Sequence, residues 1–445
     1  MRKPSKSRKP NLVRWLRDII PPDEPPSLEL SIPPGLRVTT PRRSLCVVCK
    51  GSRMLCGKRS CPIVARIKAY LRSKAPEVGV EVDGSSPPSV FVGRYGYPYV
   101  NVSPLTPPVH GDTSLYDMPE LWFGMGFEEI AGFRVSLIGG RFRVHVRRFR
   151  RDRLVEKALE LAMSERPVDS YMELAKKPVK RFILDDEVQP MGPSAPLKQM
   201  DLDNPRWDRR LERAYYDGDL RASEAVEELY LQGVPVTKIQ TAFSVGAFGL
   251  ERLRRLVPTR WSITAVDSIV SKSLITKLRD KPTIDEYRVY QSEYLGNRFV
   301  ILLAPGPWTF ELFEAWQPNT LWNPEQGLQV AADWEGYRGR TSYSSLGGGY
   351  YAARMAVAEA LYREGRQATA VVFREVTPDY IMPVGVWQVR ENVRNAMAGE
   401  ALRFDTLGEA LSYVWSRLRV RPEDWVRPSR VLRTLMTQRR IPEYV

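Results

Sequence analysis

Hydrophobic periodicity along the chain alternates between strand-like and helix-like stretches without an internal repeat. Ile63, Ile67, Ala69, Tyr70 and Leu71 approximate one face of a helix over residues 63–73. Val90, Phe91 and Val92 make a short apolar strand, and Tyr97, Tyr99, Val100 and Val102 resume a strand pattern beyond a turn containing Gly93 and Gly96. Residues 133–143 predict a second hairpin, turning at Gly139 and Gly140. Proline and polar residues between 168 and 204 predict a long surface connection with Asp185, Asp186 and Glu187 as a small acidic counterweight.

Helical spacing then returns over residues 207–232, through Leu211, Ala214, Tyr215, Leu220, Ala225, Leu229 and Tyr230, with a break at Asp217 and Gly218. In residues 249–279 the Thr264-x-x-Asp267 capping pattern and the stripe Val266, Ile269, Val270, Leu274 and Leu278 predict a helix starting near Ala265. The run RFVILLAPGP, from Arg298, fits a buried strand ending in a turn, and the triple glycine after Leu346 opens another helical stripe. Residues 369–376 read as a strand and 405–418 as a helix. Strands and helices mix without a regular βαβ rhythm, so the expected class is α+β, a mixed sheet with helices and an N-terminal four-cysteine zinc module.

At 445 residues two or three domains are expected. The boundaries read as a basic, proline-rich tail over 1–40, a metal module over 41–85, an α+β core over 86–418 and a basic tail over 419–445. No apolar run is long enough to span a bilayer, which points to an intracellular, cytoplasmic protein with no membrane partner. The net charge of +15 favours a polyanionic partner, and its distribution sharpens that. Residues 1–17 carry seven Lys/Arg and no acid, 141–153 carry seven Arg against Asp152, and 417–440 carry eight Arg against Glu423 and Asp424. A solubilising or ion-pair-rich surface explains any one run; three together favour nucleic acid.

All four cysteines fall at Cys46, Cys49, Cys56 and Cys61, a C-x2-C-x6-C-x4-C spacing. Four soft thiolates suit tetrahedral Zn²⁺, with Gly51 and Gly57 letting the backbone wrap the ion and Lys50, Arg53, Lys58 and Arg59 offsetting its negative charge. An iron–sulfur cluster fits the same ligands, and a disulfide pair or a redox C-x2-C is the alternative.

Other positions suit anions. Arg94 stands between two glycines, with a glycine-turn hairpin and an incidental arginine as the structural alternative; Arg260 and Trp261 feed a helix N-terminus, where Arg254, Arg255 and Lys272 could add charge for a phosphate, with a capped core helix and solvent-facing arginines as the alternative. Gly348 and Gly349 could cradle a phosphate, with Arg354 in the first turn of the helix they open. Asp333 and Glu335, two apart on a strand, share a face and could bind Mg²⁺ or act as a general acid/base pair; ion pairs with Arg338 and Arg340 are the structural alternative. With only His110 and His145 in the chain, a histidine-rich metallohydrolase site is not expected.

Taken in order, the cysteine cluster, FVGRYGYP, LVPTRWSITAVD and LGGGYYAARMAV resemble the archaeal Nre family of DNA-repair proteins over roughly residues 42–418. The resemblance implies a basic, zinc-containing, mixed α/β protein that takes part in DNA repair. It also implies a sliding-clamp-binding tail: Gln438, Ile441, Tyr444 and Val445 fall on the pattern Q-x-x-I-x-x-aromatic-aromatic, with Val445 replacing the second aromatic. Two function classes follow. One is a DNA-binding repair factor recruited by the sliding clamp, proliferating cell nuclear antigen; the other is a phosphoesterase, a nuclease or nucleotide phosphohydrolase built from the Arg, carboxylate and Gly-rich positions.

Overall fold

The structure is a computed structural model that describes residues 45–51, 55–56, 61, 63–65, 67, 71, 75–148, 152–179, 187–324 and 327–437. Two six-stranded mixed sheets organise it. The first contains β1 (Glu81–Ser86), β2 (Val90–Val92), β3 (Tyr99–Thr106), β4 (Ile138–His145), β5 (Val168–Leu174) and β6 (Ser194–Leu202), in the order β1-β5-β6-β4-β3-β2. The second contains β7 (Tyr287–Tyr294), β8 (Asn297–Ala304), β9 (Thr309–Trp316), β10 (Gln329–Glu335), β11 (Thr369–Val376) and β12 (Leu402–Phe404), in the order β10-β9-β11-β8-β7-β12. Each sheet has one parallel pair, β4 with β6 and β9 with β11.

The described helices are α1 (Leu45–Cys49), α2 (Phe127–Ser136), α3 (Arg153–Met163), α4 (Arg209–Tyr216), α5 (Ala222–Leu231), α6 (Val236–Ser244), α7 (Thr259–Leu278), α8 (Gly348–Glu364), α9 (Trp387–Ala398), α10 (Leu407–Arg417), α11 (Pro422–Val426) and α12 (Val431–Thr437). The class is therefore α+β. Among the described residues no helix is long and apolar enough to cross a membrane.

Why β8 from Phe299 and β11 up to Phe373 are apolar without alternation is clear from their surroundings. Phe299, Ile301 and Leu303 of β8, with Ala370 and Val372 of β11, face the core shared with α7, α8 and α9. Their neighbours Val300, Leu302, Val371 and Phe373 face a second core closed by α10, α11 and α12. Both faces of these strands are buried, so the period of two is present but both sets must be hydrophobic. α7 and α8 lie between the sheets, with Ser268 and Ser271 of one facing Arg354 of the other.

Several sequence expectations are corrected here. The helix expected near Ala265 begins at Thr259, directly after Pro258, whose fixed φ suits the entry to a helix and whose missing N–H costs nothing there. Asp267 is buried and binds Arg390 and Gln240 instead of capping. Arg260 and Trp261 consequently sit in the first turn, and Arg354 lies beyond the first turn of α8, fully buried. Gly139 and Gly140 are not a turn: they lie within β4, where a Cβ on Gly140 would stand 2.7 Å from Leu197. The stretch 168–204 holds β5 and β6; in β5, Val168, Ser170, Met172 and Leu174 alternate inward with polar or exposed neighbours. From residue 419 to Thr437 the chain is docked, not a tail. The buried Glu311 carboxylate of β9 accepts hydrogen bonds from the backbone N–H groups of Arg430, Val431 and Leu432, so it caps α12.

Candidate nucleic-acid interface

The predicted carboxylates and arginines separate into an interior group and a surface group. In the interior, Arg354 and Glu335 form an ion pair at 2.7 Å with each side chain 1% exposed. Glu335 also accepts from the Trp308 indole at 3.3 Å, while Arg354 donates to the Ser271 hydroxyl at 2.9 Å and that of Ser268 at 3.3 Å. Asp333 accepts from Arg340 at 3.0 Å, the Ser344 hydroxyl at 2.7 Å and the Ser345 N–H at 2.8 Å. Burial opposes its ionisation, but these donors outweigh burial and hold its carboxyl below the ordinary value. Both carboxylates are thus engaged by arginines that join β10 to α8 and to the loop preceding it.

The glycine-rich start of α8 is an anion site already served by the protein. Gly348 N–H donates to Glu187 at 3.3 Å, and Arg260 pairs with the same carboxylate at 2.9 Å. A Cβ at Gly348 would lie 3.2 Å from the Glu187 carboxyl carbon, and one at Gly349 would lie 3.3 Å from a Glu314 oxygen. Two carboxylates therefore approach the helix terminus where the sequence suggests a phosphate. Arg260, Gly348, Gly349, Arg354, Asp333 and Glu335 are brought near one another, but around internal ion pairs.

Arg94 and Arg255 belong to the surface group. The turn between β2 and β3 places Arg94 4.8 Å from the Tyr95 ring centre, and Tyr95 is 71% exposed. On the paired strands Tyr99 lies opposite His145 and Asn101 opposite Arg143, whose guanidinium stands 5.6 Å from the Tyr99 ring. Val146 at the end of β4 donates to the Pro98 carbonyl and accepts from the Leu256 N–H, so the 254–257 loop is fastened to the same edge. This assembles Arg94, Arg143, Arg147, Arg148 and Arg255 with the exposed Tyr95 and Tyr99. The tyrosines are the part that sequence reasoning missed; the interleaving RYGYPY after Gly93 was the available signal. Lys272 is exposed on the middle of α7.

Cys46 and Cys49 bracket α1, after which Lys50 (φ 44°) and Gly51 (φ 71°) reverse the chain with left-handed backbone. A side chain at Gly51 would strike Val64 and the Trp322 ring, so the turn is seated closely on the core. Cys49 is buried, Cys46 and Cys61 are half-buried and Cys56 is exposed; no disulfide joins two of these described cysteines. Among the described residues no group of three or more His, Cys, Asp or Glu side chains is assembled around a metal position. Residues 1–44, Arg53, Gly57, Lys58, Arg59, Arg150, Arg151, Asp185 and Asp186 lie outside the described residues, as do Gln438, Ile441, Tyr444 and Val445.

Comparison with known proteins covers nearly the whole chain. The family described as archaeal Nre, N-terminal, matches residues 55–323, and that described as archaeal Nre, C-terminal, matches residues 335–444. DNA repair protein NreB of Archaeoglobus fulgidus is 44% identical over 391 residues, which cover 87% of this chain and 97% of that protein. DNA repair protein NreA of the same organism is 38% identical over 85% of this chain and 95% of its own length. DNA repair protein NreA of Haloferax volcanii is 36% identical over 86% of this chain and 94% of its own length. No solved structure matches.

Proposed function

This chain belongs to the archaeal Nre family, and from that premise we propose that it is a DNA-repair protein that binds DNA and is recruited by the sliding clamp. The observation that carries the reading is the 44% identity, over 87% of the chain, to a protein named for DNA repair. The surface adds a physical means: Arg94, Arg143, Arg147, Arg148 and Arg255 offer guanidinium groups to phosphates, and Tyr95 and Tyr99 offer exposed rings beside them. The match to the C-terminal family extends to residue 444 and so takes in Gln438, Ile441 and Tyr444. In the recruiting motif Gln438 would hydrogen-bond at the rim of the clamp's pocket and Ile441 and Tyr444 would enter it, each contributing about 1.5–3 kcal/mol before ordering costs.

Zinc at Cys46, Cys49, Cys56 and Cys61 completes the reading. The donor chemistry fits: four thiols lie within one short segment, and the left-handed Lys50–Gly51 turn after Cys49 is the sharp reversal that a C-x2-C ligand pair uses. Its role would be structural, tying the N-terminal segment to the Trp322 side of the core.

One pair of measurements tests the function. Affinity for duplex DNA should fall steeply with salt, each phosphate contact contributing about 0.9 to the log–log slope, and replacing Arg143, Arg147 and Arg148 by Gln should lower that slope by about 2–3. Deleting residues 438–445 should abolish clamp binding while leaving DNA affinity unchanged. A shallow slope, or absence of binding at low salt, defeats DNA binding; undiminished clamp binding by the truncated chain defeats the tail.

A further inference from the structure

A cavity of about 680 Å³ opens between the start of α5, the connection from α6 to α7, and the middle of α7. Its size is that of a small-ligand site, within about 300–1,000 Å³. Phe243, Phe248, Val257 and Ile269 give it apolar walls, and Leu253, 49% exposed, stands at its mouth. Cations reach it from different elements: Arg221 from the N-cap of α5, Arg254 and Arg255 from the connection, and Lys272 from α7. Of the two lining carboxylates, Glu227 is matched from outside the cavity by Lys277 at 2.8 Å, and Glu224 engages the lining Arg221 at 3.9 Å.

Arg254 is a brace, donating to the carbonyls of Gly249, Tyr215 and Asp217. Arg255 differs. It makes no hydrogen bond or ion pair with a described residue, and burial, with the nearby charge of Arg147, disfavours its protonated form. A half-buried cation at the mouth of an apolar cavity, next to a second cation, is an arrangement that an anionic group from outside would relieve. Arg255 also belongs to the basic edge that carries Arg147. Across Gly246 and Arg254 the cavity adjoins a second cleft of about 400 Å³ lined by Tyr215 and Tyr216, the latter 71% exposed.

We propose that this cavity receives one unstacked nucleotide, its base among Phe243, Phe248 and Leu253 and its phosphate on Arg255 and Lys272. An aromatic and aliphatic slot accepts any base by its π-face, lining cations from two elements accept the phosphate, and the adjoining tyrosine cleft suits a neighbouring base. The inference rests on the DNA-binding reading for the source of the nucleotide, a strand of DNA; a free mononucleotide has the same chemistry, and the test separates the two.

Full-length protein is titrated with dAMP, with deoxyadenosine, with inorganic phosphate, and with a single-stranded oligonucleotide carrying one 2-aminopurine. The dAMP should bind at least about tenfold more tightly than either fragment, and 2-aminopurine fluorescence should rise on binding as the base leaves its stack. Ser223→Trp on α5 and Thr276→Trp on α7 fill the cavity from exposed lining positions on two helices. Each should weaken dAMP by about tenfold or more while duplex affinity stays within about twofold; having two such variants guards against one that misfolds. Binding of dAMP without a 2-aminopurine response upholds the site with the free nucleotide as its ligand. Binding of phosphate as tight as that of dAMP, unchanged dAMP affinity in both filled variants, or no binding of dAMP or oligonucleotide by the wild type overturns the proposal. Failure of duplex binding alone defeats the basic-edge reading and leaves the dAMP titration to decide the cavity.

Discussion

Replacing Arg354 by Met removes the cation from a fully enclosed ion pair of the interior. The Glu335 carboxylate would then keep only the Trp308 N–H at 3.3 Å, in a site where its side chain is 1% exposed, and the hydroxyls of Ser268 and Ser271 would each lose a donor. Leaving one charge of a buried pair uncompensated costs about 3–5 kcal/mol. Glu335→Gln should be of the same order, since it strands the guanidinium, whereas the combined Glu335→Leu, Arg354→Met variant removes both charges and should recover at least about 1–2 kcal/mol of the summed single losses. Urea denaturation followed by tryptophan fluorescence is the assay, because Trp308 touches Glu335 and reports on this region. The chain is too large for a two-state assumption, so the first transition midpoint is compared across the cycle. If both single variants unfold like the wild type yet lose an activity on DNA or nucleotides, Glu335 is a reacting group and the structural reasoning fails.

Purified protein should carry about one zinc per chain, and Cys49→Ser should lower both metal content and thermal stability; no zinc by elemental analysis, together with indifference to a chelator, would remove the metal site. A pH effect is expected at Lys238. Burial pushes its ammonium down to about 8 from the ordinary 10.5, with Asp208 and Glu165 opposing the fall. Between those values the unfolded chain holds a proton that the folded chain has released, so the Lys238 contribution to stability is flat below about pH 8 and rises as pH climbs toward about 10.5. Lys238→Met should therefore flatten the difference in melting temperature between about pH 7 and about pH 9.5; an unchanged difference contradicts it.

How much of the fold could be read beforehand depended on how locally each signal is written. The strand at residues 369–376 is legible because it is short, apolar and fully buried, and the α10 helix because Thr406 and Glu409 form a capping box. The β5 strand is harder to see, since Ser170 is an inward position and Asp169 and Glu173 are neighbours, so period-two alternation carries little hydrophobic contrast. Glycines misled at residues 139–140 for a different reason: the same residue type serves a turn or a close approach, and only the position of Leu197, far along the chain, distinguishes them. The start of α7 was displaced because Thr264 and Asp267 look like a cap until Arg390 is known to face Asp267 from another helix.

The site was legible in its residues but not in their sorting, and the reason is electrostatic. Arg260, Arg354, Arg374 and Arg390 each meet a buried carboxylate from another segment, namely Glu187, Glu335, Glu314 and Asp267. A guanidinium inside the protein must find such a partner, because an isolated buried charge is costly. These arginines are thereby committed to the fold, and an incoming phosphate would have to displace a carboxylate already in place. The Gly348 terminus makes the point most directly, since Glu187 sits where a phosphate would and Arg260 is turned toward Glu187. Among the described residues Arg94 beside Tyr95, Arg143 beside Tyr99 and Arg255 near Arg147 are not committed in this way, and the proposed DNA contact falls to them. Composition counts both sets alike, so the net charge of +15 points to a polyanion without saying which edge would hold it.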